Sequence, residues 1–182
     1  LRLGTFGLRP VAGPAVMPRL TRPFYDRPTL DVARDLLGQV LVHRSGRTRL
    51  SGRIVEVEAY VGEDDPACHA ACGATPRNAP LYGPPGFSYV YLNYGVHCLV
   101  NVVTEREAFP AAVLIRALEP LEGLSLMRRR RQAPGRTGSL RSIRDEDLCR
   151  GPGNLTRALG ITLAENALDL LGPKRSEEHT SE

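Results

Sequence analysis

The sequence predicts an α+β fold in a single domain, a mixed and mostly antiparallel curved sheet with flanking helices and a protruding β-hairpin. Strand-like segments cluster in the middle of the chain. Helical patterning is confined to the two regions on either side of them, and no internal repeat interrupts this order. With 182 residues, 42% hydrophobic and 24% charged, the chain has the length and composition of one globular unit with a real core.

Pro28-Thr29, then Leu30, Ala33 and Leu37, then Gly38 reads as a short amphipathic helix capped by Thr29 and ended by Gly38. Gln39 to Arg44 and Leu50 to Tyr60 read as strands joined by a turn at Ser45-Gly46. A Gly/Pro-rich loop is expected from Gly62 to Gly86. Ser88 to Thr104 is apolar and aromatic but broken at Asn93-Tyr94-Gly95, which predicts the hairpin. Ala111 to Leu118 is a further strand. Pro120 then suits the first position of a helix ending in Arg128 to Arg131, where positive charge complements the helix dipole. A polar linker, Gln132 to Ser139, leads to Gly151-Pro152-Gly153 and a helical run through Leu155, Ala158 and Leu159.

Both ends differ from the rest. The first sixteen residues have no periodicity and Met17, just before the first organised segment, reads as the natural start, so 1–17 is expected to be a non-native or disordered leader, with the folded domain spanning 18–174. Arg175 to Glu182 reads like a translated sequencing adapter, unrelated to the fold. No apolar run has the length of a membrane span and no secretory signal is evident, so a cytoplasmic protein with reduced thiols is expected. The net charge is +4, and Lys174 is the sole lysine, so nearly all positive charge is arginine. A basic, arginine-rich chain suits an acidic partner such as nucleic acid, although basic composition alone excludes little. The same usage points to a GC-rich bacterial genome.

Three clusters carry candidate chemistry. Strand alternation sets Ile54, Glu56, Glu58 and Tyr60 on one face and Val55, Val57, Ala59 and Val61 on the other, the natural core face. A solvated outer face is the ordinary explanation of the two glutamates, and a cleft carboxylate beside Tyr60 is the sharper one. Tyr89, Tyr91 and Tyr94 lie within six residues of a chain that holds six tyrosines and no tryptophan. Tyr89 and Tyr91 share a strand face, for which packing suffices. Tyr94, at a turn, is harder to place in a core and suits a wedge between base pairs. Cys68, His69 and Cys72, with His97-Cys98 beyond, raise the question of zinc. The three residues between the cysteines fit a zinc site, but His69 lies between them, and the adjacent His97 and Cys98 point to opposite strand faces. The Arg128–Arg131 run reads first as a solvated helix end and second as a phosphate contact.

Several longer stretches together resemble the alkyladenine (3-methyladenine) DNA glycosylase family. They are Gly52-Arg-Ile-Val-Glu-Val-Glu-Ala-Tyr-Val-Gly62, Thr75-Pro-Arg-Asn78, Tyr89-Val-Tyr-Leu-Asn-Tyr-Gly95, Asn101, Leu114-Ile-Arg-Ala-Leu-Glu-Pro-Leu-Glu-Gly123 and Gly151-Pro152. The resemblance runs from about Phe24 to Thr162. It implies an enzyme that flips alkylated or deaminated purines out of double-stranded DNA and hydrolyses the N-glycosidic bond. Glu58 would be the general base and Arg116 would help position the attacking water. Tyr60, His69, Tyr91 and Asn101 would enclose the base, with Asn101 excluding guanine. Tyr94 would intercalate, and Arg77 and Asn78 would meet the DNA backbone. The resemblance further implies no cofactor, no metal, no covalent DNA adduct, no membrane association and a monomer. Family members continue past the end of this chain with strand structure that closes the fold. The alternative is therefore a lesion-binding protein with impaired catalysis.

Overall fold

Residues with strong β propensity in the middle of the chain form one sheet, and the apolar stripes of two short helices lie against it. A computed structural model describes residues 19–132 and 143–172. The expectations for residues 1–17, for most of the linker and for the tail after Lys174 fall outside those described residues. The strands are β1 (Val40–Ser45), β2 (Thr48–Val61), β3 (Ser88–Asn93), β4 (His97–Val103) and β5 (Ala111–Glu122). They pair in the order β1-β2-β5-β4-β3, and every pairing is antiparallel. The α+β expectation holds. Among the described residues the helices are α1 (Arg22–Tyr25), α2 (Thr29–Leu36), α3 (Leu124–Arg131) and α4 (Pro152–Leu159), and none is long and apolar enough to cross a membrane.

β5 sits in the centre and is buried on both faces from Ala111 to Ile115. Its run Ala-Ala-Val-Leu-Ile is therefore continuous rather than alternating. One face, with Val113, Ile115 and Leu118, joins the main core, to which α2 adds Val32 and Leu36 and α4 adds Leu155 and Leu159. Full burial of each leucine contributes about 2 kcal/mol. The other face, through Ala112, meets a smaller cluster of Tyr89, Val103, Leu81 and Cys68.

Helix boundaries show where local signals were insufficient. Gly38 ends α2 with φ +87°, as expected. Thr29, however, is the first helical residue and does not cap it. The cap is the Glu105 carboxylate, which accepts from the Thr29 amide at 3.0 Å and from its hydroxyl at 2.6 Å. Pro120 does not begin a helix either; it lies in β5 opposite Gly52. β4 pairs with β5 only from Ala112 to Leu114, so the missing N–H of Pro120 falls where that edge of β5 is no longer laddered. Gly123, at φ +84°, then turns the chain into α3.

Of the arginines ending α3, Arg129 is exposed, as expected of a solvated helix end, whereas Arg128, Arg130 and Arg131 are engaged by neighbouring segments. Arg128 donates to the Ile143 carbonyl and to Asp145, Arg130 to the Ala158 and Leu159 carbonyls, and Arg131 to Asn154. They tie α3 to α4 and to the segment before Asp145. The unpaired carbonyls at the C-terminus of α4 are natural acceptors for this cation.

Two features bear directly on the site. Between β2 and β5, Ile54 faces Leu118, Glu56 faces Ala117 and Val57 faces Ile115, so the pairing passes over Val55 and then over Arg116. These two bulges offset each other, and the ladder continues in its former register. Ile54 therefore shares the core face with Val57 and Ala59 instead of lying with Glu56, and Val55 is 52% exposed. The expected alternation holds from Glu56 onward and breaks at Val55. Along the outer edge of β3, residues 165–170 form a strap. The Ala167 and Leu168 backbones exchange hydrogen bonds with Ser88, and Asn166 Oδ1 accepts from the Val90 amide.

Candidate active site

The smaller cluster opens into a hollow of about 310 Å³, mouth included, lined in part by Tyr60, His69, Tyr89, Tyr91 and Asn101. Strand periodicity delivers most of these side chains. Tyr89 and Tyr91 are two apart on β3, and Asn101 is the cross-strand neighbour of Tyr89. Asn101 is 3% exposed, and its Nδ2 donates to the Tyr89 carbonyl at 3.0 Å, which fixes the orientation of the amide. His69 comes from the loop, in a 3-10 turn spanning His69–Cys72. A 2.8 Å hydrogen bond joins its Nδ1 to the Tyr89 hydroxyl, and its ring meets Tyr91 edge-on at 4.3 Å between centroids.

The loop is held by Asn78. Its Nδ2 donates to the His69 and Gly73 carbonyls, both at 2.9 Å, and its Oδ1 accepts from the Thr75 amide at 2.6 Å. At 2% exposure, with its amide engaged inside the loop, Asn78 is an organiser and does not present itself at the surface. Arg77 beside it is exposed, and its Nη2 donates to the Leu92 carbonyl at 3.0 Å.

Glu58 lies two residues before Tyr60 on β2. Arg116 Nη1 donates to Glu58 Oε2 at 2.7 Å, and Arg116 Nε donates to Glu56 Oε1 at 3.1 Å. The Glu58 side chain is 42% exposed, but it is tethered rather than directed at random into solvent. Burial works against the positive charge on Arg116. The hydrogen bond to Glu56 and the charge of Glu58 outweigh it and raise the guanidinium above its ordinary value.

The hollow keeps its aromatic groups neutral. Burial pushes the Tyr60 hydroxyl up to about 12, with the neighbouring Glu58 carboxylate adding to the effect. Burial likewise lifts Tyr89 to about 12 and raises Tyr91, on which Glu58 also acts. His69 is held below its ordinary value by burial first and by Arg77 second. Such a site presents neutral, electron-rich rings beside one fixed carboxylate. That arrangement attracts a planar cation and can orient a water.

Tyr94 stands apart from this hollow. It is 93% exposed, with φ 49°, and with Gly95 at φ 70° it makes the turn between β3 and β4. Two successive positive φ values are what a type I′ hairpin turn demands, a conformation that a bulky residue adopts at a cost. A broader, open hollow beside the turn is lined by Arg77, Tyr91, Leu92 and Tyr94 among others, so Tyr91 belongs to both walls. The residue types considered for zinc do not converge. Cys68 is a buried wall of the hollow and Cys72 is exposed. No group of three or more His, Cys, Asp or Glu side chains is placed to hold a metal among the described residues.

Sequence reasoning left out Tyr89 as a partner of His69, and Leu81 and Cys68 as walls. The spacing of Tyr89 from Tyr91 was the available signal. The loop residues gave none. Glu56 also went unassigned, although its position two residues from Glu58 was visible.

A fixed carboxylate beside an aromatic hollow, on an antiparallel sheet, can hold a water next to a flat, electron-poor ring. Residues 23–180 match the family model described as methylpurine-DNA glycosylase, and the chain belongs to that family. It is thus a DNA glycosylase, of the class that hydrolyses N-glycosyl bonds. Among similar proteins, one from Methanocella arvoryzae is 50% identical over 156 residues, 85% of this chain and 73% of the relative. Another from Chlorobium phaeobacteroides is 50% identical over 157 residues, covering 86% and 74%. A third from Burkholderia lata is 51% identical over 153 residues, covering 84% and 69%. All three carry the name 3-methyladenine DNA glycosylase.

Proposed function

We propose that this glycosylase rotates alkylated or deaminated purines out of duplex DNA and hydrolyses their N-glycosidic bond, with Glu58 as general base. The reading rests on the 2.7 Å ion pair of Glu58 with Arg116, beside two tyrosines of one hollow. Cleavage builds oxocarbenium-like positive charge on the sugar, which a nearby carboxylate stabilises. Arg116 engages Oε2, and Oε1 lies outside the ion pair. A water held at Oε1 attacks the anomeric carbon, its proton passes to Glu58, and the C–N bonding electrons leave with the base. A purine methylated at N3 or N7 is cationic and departs neutral, with no proton needed. No covalent adduct with DNA forms.

Tyr60, His69 and Tyr91 enclose the base, and aromatic faces favour a cationic purine by roughly 0.5–2 kcal/mol each. Asn101, with its amide orientation fixed, excludes the exocyclic amino group of guanine. Tyr94 fills the gap left in the stack, Arg77 contacts the backbone, and Asn78 acts by holding the loop that carries both Arg77 and His69. The names of the relatives make 3-methyladenine the first lesion to test.

The test is base release from defined duplexes carrying 3-methyladenine, 7-methylguanine or hypoxanthine under single-turnover conditions. Glu58→Gln lowers the rate by about 10²-fold or more while lesion-duplex affinity persists. Unchanged release in that variant removes Glu58 from the role. Lesion-selective binding without any release from the parent chain supports the lesion-binding alternative.

A further inference from the structure

We propose that Glu56 is a positioning residue, holding the Arg116 guanidinium through Nε so that Arg116 reaches only one oxygen of Glu58. The inference rests on Glu58 acting as the base, and it adds a residue that this role does not itself require. Arginine and carboxylate prefer a fork of two parallel hydrogen bonds. Left alone with Glu58, Arg116 would adopt that fork and occupy both carboxylate oxygens. Instead it makes one bond to each of two carboxylates, 3.1 Å from Nε to Glu56 Oε1 and 2.7 Å from Nη1 to Glu58 Oε2.

The backbone is built for this division. In the register shared by Ile54 with Leu118 and Val57 with Ile115, Glu56 would lie directly opposite Arg116. The paired bulges put Glu56 opposite Ala117 and leave Arg116 out of the ladder, between the two carboxylates. A bulge that re-aims one side chain is a recurrent device next to active sites.

Stability does not explain the arrangement. The side chains of Glu56, Arg116 and Glu58 are 57%, 37% and 42% exposed, and ion pairs so open to water contribute little to folding. The contribution of Glu56 lies in geometry. The charged or titratable groups that act on Glu58 and its neighbours are Arg116 on β5, Glu56 and Tyr60 on β2, Tyr91 on β3, and Arg77 through Tyr91. Arg116 and Arg77 are the cations of this group, and Arg77 has the Leu92 carbonyl as its own acceptor.

The test compares Glu56→Ala, Glu56→Gln and Glu58→Gln in the full chain by two independent readouts. The first, on free protein, is the Nε–H resonance of Arg116 in nitrogen NMR, assigned with Arg116→Lys. The second pairs single-turnover base release with lesion-duplex affinity. Wild type should show a slowly exchanging Arg116 Nε–H, and Glu56→Ala should lose it. Base release in Glu56→Ala should fall about tenfold or more, with affinity within about twofold. Glu56→Gln keeps an acceptor for Nε and should recover release to within about threefold of wild type. Fast exchange of the Arg116 Nε–H in wild type overturns the proposal, as does undiminished release in Glu56→Ala. So does Glu56→Gln as slow as Glu56→Ala, or a loss of affinity that matches the loss of rate. Retained release in Glu58→Gln instead sinks the general-base reading, and the NMR readout still reports whether Glu56 holds Arg116.

Discussion

Replacing Tyr94 by glycine should separate stability from function. At 93% exposure the ring has roughly 15 Å² of its surface covered, worth about 0.4 kcal/mol of burial. Its φ of 49° is left-handed, which strains an L-residue by about 1–2 kcal/mol, and glycine relieves this. Against that gain stands the greater freedom of glycine in the unfolded chain, about 0.5–1 kcal/mol. These effects nearly cancel, so urea denaturation should place Tyr94→Gly within about 1 kcal/mol of wild type, a melting shift of about 4 °C or less. A wedge that stacks against bases contributes about 1–3 kcal/mol, so lesion-duplex affinity or single-turnover release should fall by about 5- to 150-fold. A variant more than about 2 kcal/mol less stable would show that the ring packs into the fold. A variant with normal binding and release would show that Tyr94 has no part in handling DNA.

Three further outcomes follow from the packing and the charges. Folding holds His69 below its usual 6.5, so below that pH the unfolded chain binds the proton more readily than the folded one. Stability should thus be full above about pH 6.5 and decline on acidification, and His69→Asn should flatten the decline in urea midpoints taken across that range. Glu105→Ala removes the acceptor for the Thr29 amide and hydroxyl and should destabilise by about 1–2 kcal/mol in chemical denaturation. A Cβ on Gly123 would collide with the Leu50 side chain at a φ of +84°, so Gly123→Ala should lower the melting temperature well beyond the Tyr94→Gly change.

What the sequence made legible was local or periodic. The β3–β4 hairpin announced itself through Asn93-Tyr94-Gly95, and α4 through Gly151-Pro152-Gly153 and the run Leu155, Ala158 and Leu159. Glu58, Tyr60 and Tyr91 could be placed because strand alternation fixes the face on which a side chain falls. What escaped was non-local. The cap of α2 comes from a residue 76 positions away, where no spacing rule reaches. Pro120 carried a helix-start signal that sheet pairing with Gly52 overrode. Offsetting bulges at Val55 and Arg116 leave the overall register intact, so their only trace in the sequence was a valine at an exposed position. Arg128, Arg130 and Arg131 looked solvated because their acceptors lie in α4 and at Ile143 and Asp145. Loop 62–86 offered Gly and Pro punctuation but no hint that Asn78 would bind it to His69.

The two halves of the candidate site hang on different parts of the chain. Glu58, Tyr60 and Arg116 stand on β2 and central β5, braced on either side, whereas Tyr89 and Tyr91 stand on outermost β3, whose flank is sealed by residues 165–170. On the proposed roles, a protease nick or local melting of that late segment would blind recognition before it disarmed chemistry. It would also bare the amides of Ser88 and Val90, inviting neighbouring molecules to zip onto the sheet. On those roles, damage reading and resistance to clumping share one fastening.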